Sequence, residues 1–135
     1  MRRILVVDDD AAVRSAIKLL LETYGFEVVL AGNGRQGIKA VESSDLDLVL
    51  LDVFMPGMDG LETIKALHEV RPGLPIIAMS GALMRDSSAP DYLSFATKLG
   101  AIAALPKPFR PDDLLDAVKR TIGETGGSGG LSGPS

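Results

Sequence analysis

Four apolar runs in this chain are followed closely by residues able to do chemistry. Asp8, Asp9 and Asp10 come after Ile4 to Val7, Asp52 after Leu48 to Leu51, Ser80 after Ile76 to Met79, and Lys107 after Ala101 to Leu105. Asp8, Asp9 and Asp52, with no histidine or cysteine nearby, offer oxygen ligands alone, which favour a hard cation such as Mg2+. Brought together, three carboxylates repel one another unless a positive charge sits among them. Lys107 supplies a fixed charge and Ser80 a hydroxyl donor. Carboxylate nucleophile, metal, cation and hydroxyl form a set that fits phosphoryl transfer to Asp52, because that reaction is mostly positioning and charge stabilisation.

Such a set works only if the fold gathers it. A fifth apolar run, Phe26 to Leu30, joins the other four, and stretches with helical spacing separate them. Strands that are apolar at nearly every position belong to a parallel sheet covered on both faces. Glu27 interrupts the second run and marks it as an edge strand. After the first run, Val13, Ala16, Ile17, Leu20 and Leu21 fall on one helical face, with Asp10 as its cap and Gly25 as its stop. Further helices are expected over 35–42, 61–70, 91–99 and 111–122. The reading is a five-stranded α/β sandwich. With strand order 2-1-3-4-5, the first and third strands flank the point where the order reverses, and ligands bind outside the carboxyl ends of strands at such a point.

Bulk properties narrow the classes. The chain has 135 residues, enough for about one domain, and 46% hydrophobic residues, enough to bury a core. A net charge of -4, with no cluster of Lys or Arg, argues against nucleic-acid binding. There is no cysteine, so disulfides and thiolate chemistry are excluded and a cytoplasmic location is the default. No apolar run approaches the roughly 20 residues that span a bilayer. The expected domain covers 2–122; from Gly123 to Ser135 the chain is rich in Gly and Ser and reads as a flexible tail or linker.

Val6-Val7-Asp8-Asp9, the stretch from Asp52 to Gly60, Met79-Ser80-Gly81 and Lys107-Pro108-Phe109 resemble, in order and spacing, the signature of the response-regulator receiver domain of two-component signalling. The resemblance covers Arg3 to Ile122. It implies a doubly wound, flavodoxin-like parallel sheet with helices on both faces. It also implies that Asp52 is the phosphorylated residue, with Asp9, Asp52 and the Phe54 carbonyl as direct ligands of Mg2+ (or Mn2+) and Asp8 as an outer partner. Ser80 would be the switch hydroxyl and Lys107 the phosphate-pairing lysine. The implied partners are a sensor histidine kinase or histidine phosphotransfer protein and a downstream protein target, with no direct nucleic-acid or membrane role. Where such domains commonly carry an aromatic residue three positions before the lysine, this chain has Ala104, and the stretch 81–88 is longer than in compact receivers.

Rival readings attach to the same residues. Asp10 reads as a helix cap, and Asp59-Gly60 as turn chemistry. His68 reads as a solvated surface residue. Ala11, Ser15 and Leu19, spaced i, i+4 and i+8, read first as the edge of the core and second as a docking patch for a kinase or phosphotransfer helix. A phosphatase with an aspartyl-phosphate intermediate would need a second acid where Phe54 stands, so the chain is not expected to be a turnover enzyme. An interaction module acting without phosphorylation is the alternative function.

Overall fold

The computed structural model describes residues 2–53, 60–80, 97–106 and 109–123, with the backbone alone for Ser80 and Pro106. Five strands, β1 (Arg3–Val7), β2 (Glu27–Ala31), β3 (Leu48–Asp52), β4 (Ile76–Ser80) and β5 (Ala103–Pro106), form one sheet. The order is β2-β1-β3-β4-β5, and every pairing is parallel. This is the doubly wound arrangement expected from the alternating pattern, with β2 at an edge as Glu27 required. The described helices are α1 (Ala11–Thr23), α2 (Gly34–Ser43), α3 (Gly60–Val70) and α4 (Pro111–Ile122). Residues 97–99 are also helical and close the segment expected over 91–99, whose earlier residues lie outside the described ones.

Continuous apolar strands are needed because side chains alternate between two cores. Leu5, Val7, Val49, Leu51, Ile76 and Ala78 meet Val41 of α2 and Ile64 and Leu67 of α3 on one face. Their neighbours Ile4, Val6, Leu48, Leu50, Ile77 and Met79 meet Ile17 and Leu21 of α1 and Leu114 and Val118 of α4 on the other. β3 is buried at all five positions.

Local chemistry sets the helix ends. Asp10 caps α1, its carboxylate accepting from the amides of Ala12 at 2.9 Å and Val13 at 3.3 Å. Gly25, at φ 92°, takes the left-handed conformation that lets the chain leave α1. Asn33 caps α2 by accepting from the Gln36 amide at 2.9 Å. α4 opens on Pro111, where the missing amide costs no helical hydrogen bond.

One expectation for α1 is corrected. Ala11, Ser15 and Leu19 are not the core edge: all three are exposed, Leu19 at 70%. At 3.6 residues per turn, Leu19 lies about 200° around the helix from buried Ile17. Ala16, assigned to the core stripe, is exposed as well. β5 begins two residues later than the apolar run, with Ala101 buried and Ile102 turned outward at 56% exposure.

Candidate functional site

β1 and β3 are central neighbours whose register pairs Val6 with Leu50 and Val7 with Leu51. One residue further out come Asp8 and Asp52. Both have the parity of Ile4, Val6, Leu48 and Leu50, so the two-residue strand period directs them to the same face of the sheet. Asp8 is fully buried, Asp52 is 5% exposed, and Asp9, the first residue past Asp8, is exposed. Each offers a carboxylate oxygen lying within 4.8 Å of those offered by the other two. The three acids selected from the sequence therefore converge where the strand order reverses.

The backbone around Asp8 is tightly held. Its amide donates to the Ala31 carbonyl at 3.1 Å, extending the β1–β2 ladder one residue past the end of β1. Its Oδ1 accepts from the Asp10 amide at 2.9 Å, and its carbonyl accepts from Arg14 Nη1 at 2.6 Å. Asp10 is committed to the α1 cap and stays out of the cluster, as expected. Arg14 was not anticipated. A signal was present in the sequence: it lies only about 60° from Ile17 around α1, a charged residue inside the arc that should be apolar.

Ser80 is the last residue of β4, in register with Pro106 and one beyond Met79, which pairs with Asp52. The backbone thus puts Ser80 at the same end of the sheet as the acids. Lys107 and Phe54 lie outside the described residues; Pro106 and Val53, which adjoin them, end β5 and follow β3. Ala104 is exposed on β5, opposite Ala78. His68 is exposed on α3, as expected. Thr63, which the sequence did not single out, is fully buried on α3.

Oxygen-only donors in this arrangement suit a hard divalent cation: two carboxylates are withdrawn from water, the third is open to it, and among the described residues no nitrogen or sulfur ligand joins the group.

Comparison with known proteins agrees. Residues 4–119 match the response regulator receiver domain. The chain is 38% identical over 123 residues to the response regulator MprA of Mycolicibacterium vanbaalenii, covering 91% of this chain and 51% of that protein. The chain spans about half the length of this relative and of the transcriptional regulatory protein CpxR of Escherichia coli. A CheY-like receiver domain from Methanospirillum hungatei superposes with TM-score 0.82 at 34% identity, covering 90% of this chain and 94% of that one. The response regulator TrrA of Thermotoga maritima, in complex with Mg2+-BeF, superposes with TM-score 0.76 at 34% identity, covering 90% and 99%. Sheet order, acidic cluster and family match coincide, and the chain belongs to the response regulator receiver domain family.

Proposed function

We propose that Asp52 accepts a phosphoryl group from a phosphohistidine, on a sensor histidine kinase or a histidine phosphotransfer protein, and that the modified domain then presents a changed surface to a downstream protein. The observation that carries this reading is the meeting of Asp8, Asp9 and Asp52 at the carboxyl ends of β1 and β3. Asp52 is held by a strand buried along its length, so its carboxylate is presented from a fixed position. It supplies the attacking oxygen, and the donor nitrogen leaves with its bonding electrons. Ser80 donates a hydrogen bond to the transferred group and Lys107 pairs with its charge. Asp8, Asp9 and Asp52, with the Phe54 carbonyl, hold the cation, and Mg2+ is the ion favoured by the donor set and by the Mg2+-BeF complex of TrrA, with Mn2+ as its substitute. When bound, a divalent cation supplies positive charge that offsets repulsion between the carboxylate and the phosphoryl oxygens. The phosphoryl group stays on Asp52 until water removes it as phosphate, so the domain acts as a switch rather than a turnover enzyme.

The exposed face of α1, formed by Ala11, Ser15 and Leu19, is the surface assigned to the phosphodonor. The place of action is the cytoplasm. Among the described residues no helix is long and apolar enough to cross a membrane.

The test is intact mass after incubation with Mg2+ and a small acyl-phosphate donor. Wild type gains the mass of one phosphoryl group, whereas Asp52→Asn and an EDTA-treated sample do not. No gain from either the small donor or the cognate kinase overturns the proposal and leaves the module that acts without phosphorylation.

A further inference from the structure

Asp9 is the exposed member of the acidic cluster, so burial does not fix its carboxylate as it does those of Asp8 and Asp52. Its direction must come from its backbone. The peptide plane that begins at the Asp8 carbonyl ends at the Asp9 nitrogen and Cα, and it rotates as one rigid unit. Arg14 Nη1 donates to that carbonyl at 2.6 Å, a short charge-assisted bond. The bonds from Asp8 to Ala31 and from Asp10 to Asp8 pin the chain on either side of the same plane.

The far side of Arg14 is also shaped. Gly32, just past β2, lies against the guanidinium, and a Cβ added there would come within 3.3 Å of Arg14 Nη1 and 3.4 Å of Gln36 Oε1. Gln36 Oε1 is itself held by the Gly32 amide at 2.7 Å. Arg14 is thus lodged between the Asp8 carbonyl and the turn that follows β2.

We infer that Arg14 is a positioning residue for the metal site, setting affinity for the divalent cation by fixing the Asp8–Asp9 peptide and hence the aim of the Asp9 carboxylate. The inference rests on the metal-binding reading given above and assigns Arg14 no contact with the ion. Two effects of Arg14 have opposite signs. Its charge, beside a cation site, weakens cation binding through like-charge repulsion. Its hydrogen bond strengthens binding by holding a ligand in place, as residues that orient metal ligands do.

The sign of the change on removing Arg14 therefore decides which effect governs. Mn2+ affinity is read by electron paramagnetic resonance, with Mg2+ as competitor, in wild type, Arg14→Met, Arg14→Lys, Gly32→Ala and, as control, Asp9→Asn. Arg14→Met is expected to lose affinity on the order of tenfold. Arg14→Lys, which keeps one donor without the planar fork, recovers part of that loss. Gly32→Ala, which crowds the guanidinium while leaving it in place, moves in the same direction by less. Equal or tighter binding by Arg14→Met overturns the inference. If that variant does not fold, unchanged affinity in both Arg14→Lys and Gly32→Ala overturns it instead. Absence of binding by wild type would strike the metal-site reading itself, a result distinguishable from failure of the role given to Arg14.

Discussion

Asp8, Asp9 and Asp10 are three identical side chains in a row, yet each stands in a different environment. Asp8 is buried and accepts from the Asp10 amide, Asp9 is exposed within the cluster, and Asp10 turns to the first amides of α1. Substitutions should separate their roles. Asp10→Ala removes the cap and is expected to lower unfolding free energy by about 1 kcal/mol, with Mg2+ affinity nearly unchanged. Asp9→Asn removes one of three mutually repelling charges, so it is expected to abolish cation binding without lowering the melting temperature of the metal-free protein. Urea denaturation, thermal melts and cation titration on the same samples check both. The acids were legible in the sequence because each closes an apolar run, a position that topology converts into a site. Arg14 was legible only as a charge inside the apolar arc of α1, because its partner is a backbone carbonyl and no residue type announces that contact.

The elements were legible to within about two residues wherever apolar spacing was strong, as in β1, β3 and α3, because a fully covered strand and an amphipathic helix each need a distinct pattern. The outer face of α1 was misread because Ala and Leu pass for core residues, whereas the helical angle places them away from Ile17. Close contact between elements is invisible in composition. Gly60 opens α3, where an added Cβ would overlap the Val53 Cα and carbonyl oxygen, which are backbone atoms and cannot swing aside. Gly60→Ala is expected to cost at least about 3 kcal/mol, at or beyond the usual range for overpacking. Gly73→Ala, where nothing lies within 4 Å, is expected to change stability by less than about 0.5 kcal/mol. Thermal melts of the two variants test the contrast; similar losses in both would show that the approach of α3 to β3 is not the limiting contact.

At the scale of the molecule, parallel pairing sends every strand's carboxyl end to one pole, and the acids and Ser80 all stand there. The opposite pole is knitted by other means. The Arg3 amide donates to Asp47 Oδ2 at 2.8 Å, and the Arg3 side chain reaches Glu27 at 3.1 Å and the Asp45 carbonyl at 3.4 Å. The Arg3–Glu27 pair is solvent-accessible and adds little stability by itself. Its place fits a role in holding β1 and β2 in register. Past α4 the sequence carries one large apolar residue, Leu131, so deletion of 124–135 is expected to leave the melting temperature within about 1 °C of the full chain and phosphoryl uptake unchanged. A larger fall would mean that the tail contributes to the domain. Sheet order was legible only through the resemblance to receiver domains, since five apolar runs fix the number of strands but not their neighbours.

β3, buried at every position and flanked by strands on both sides, has no slack along its length. A charged group arriving at its tip meets a rigid mounting, and moving that mounting would disturb both cores at once. Accommodation must therefore come from the chain around the tip. Phosphorylation of Asp52, as proposed, would become shape change by leaving the modified residue still and making its surroundings yield.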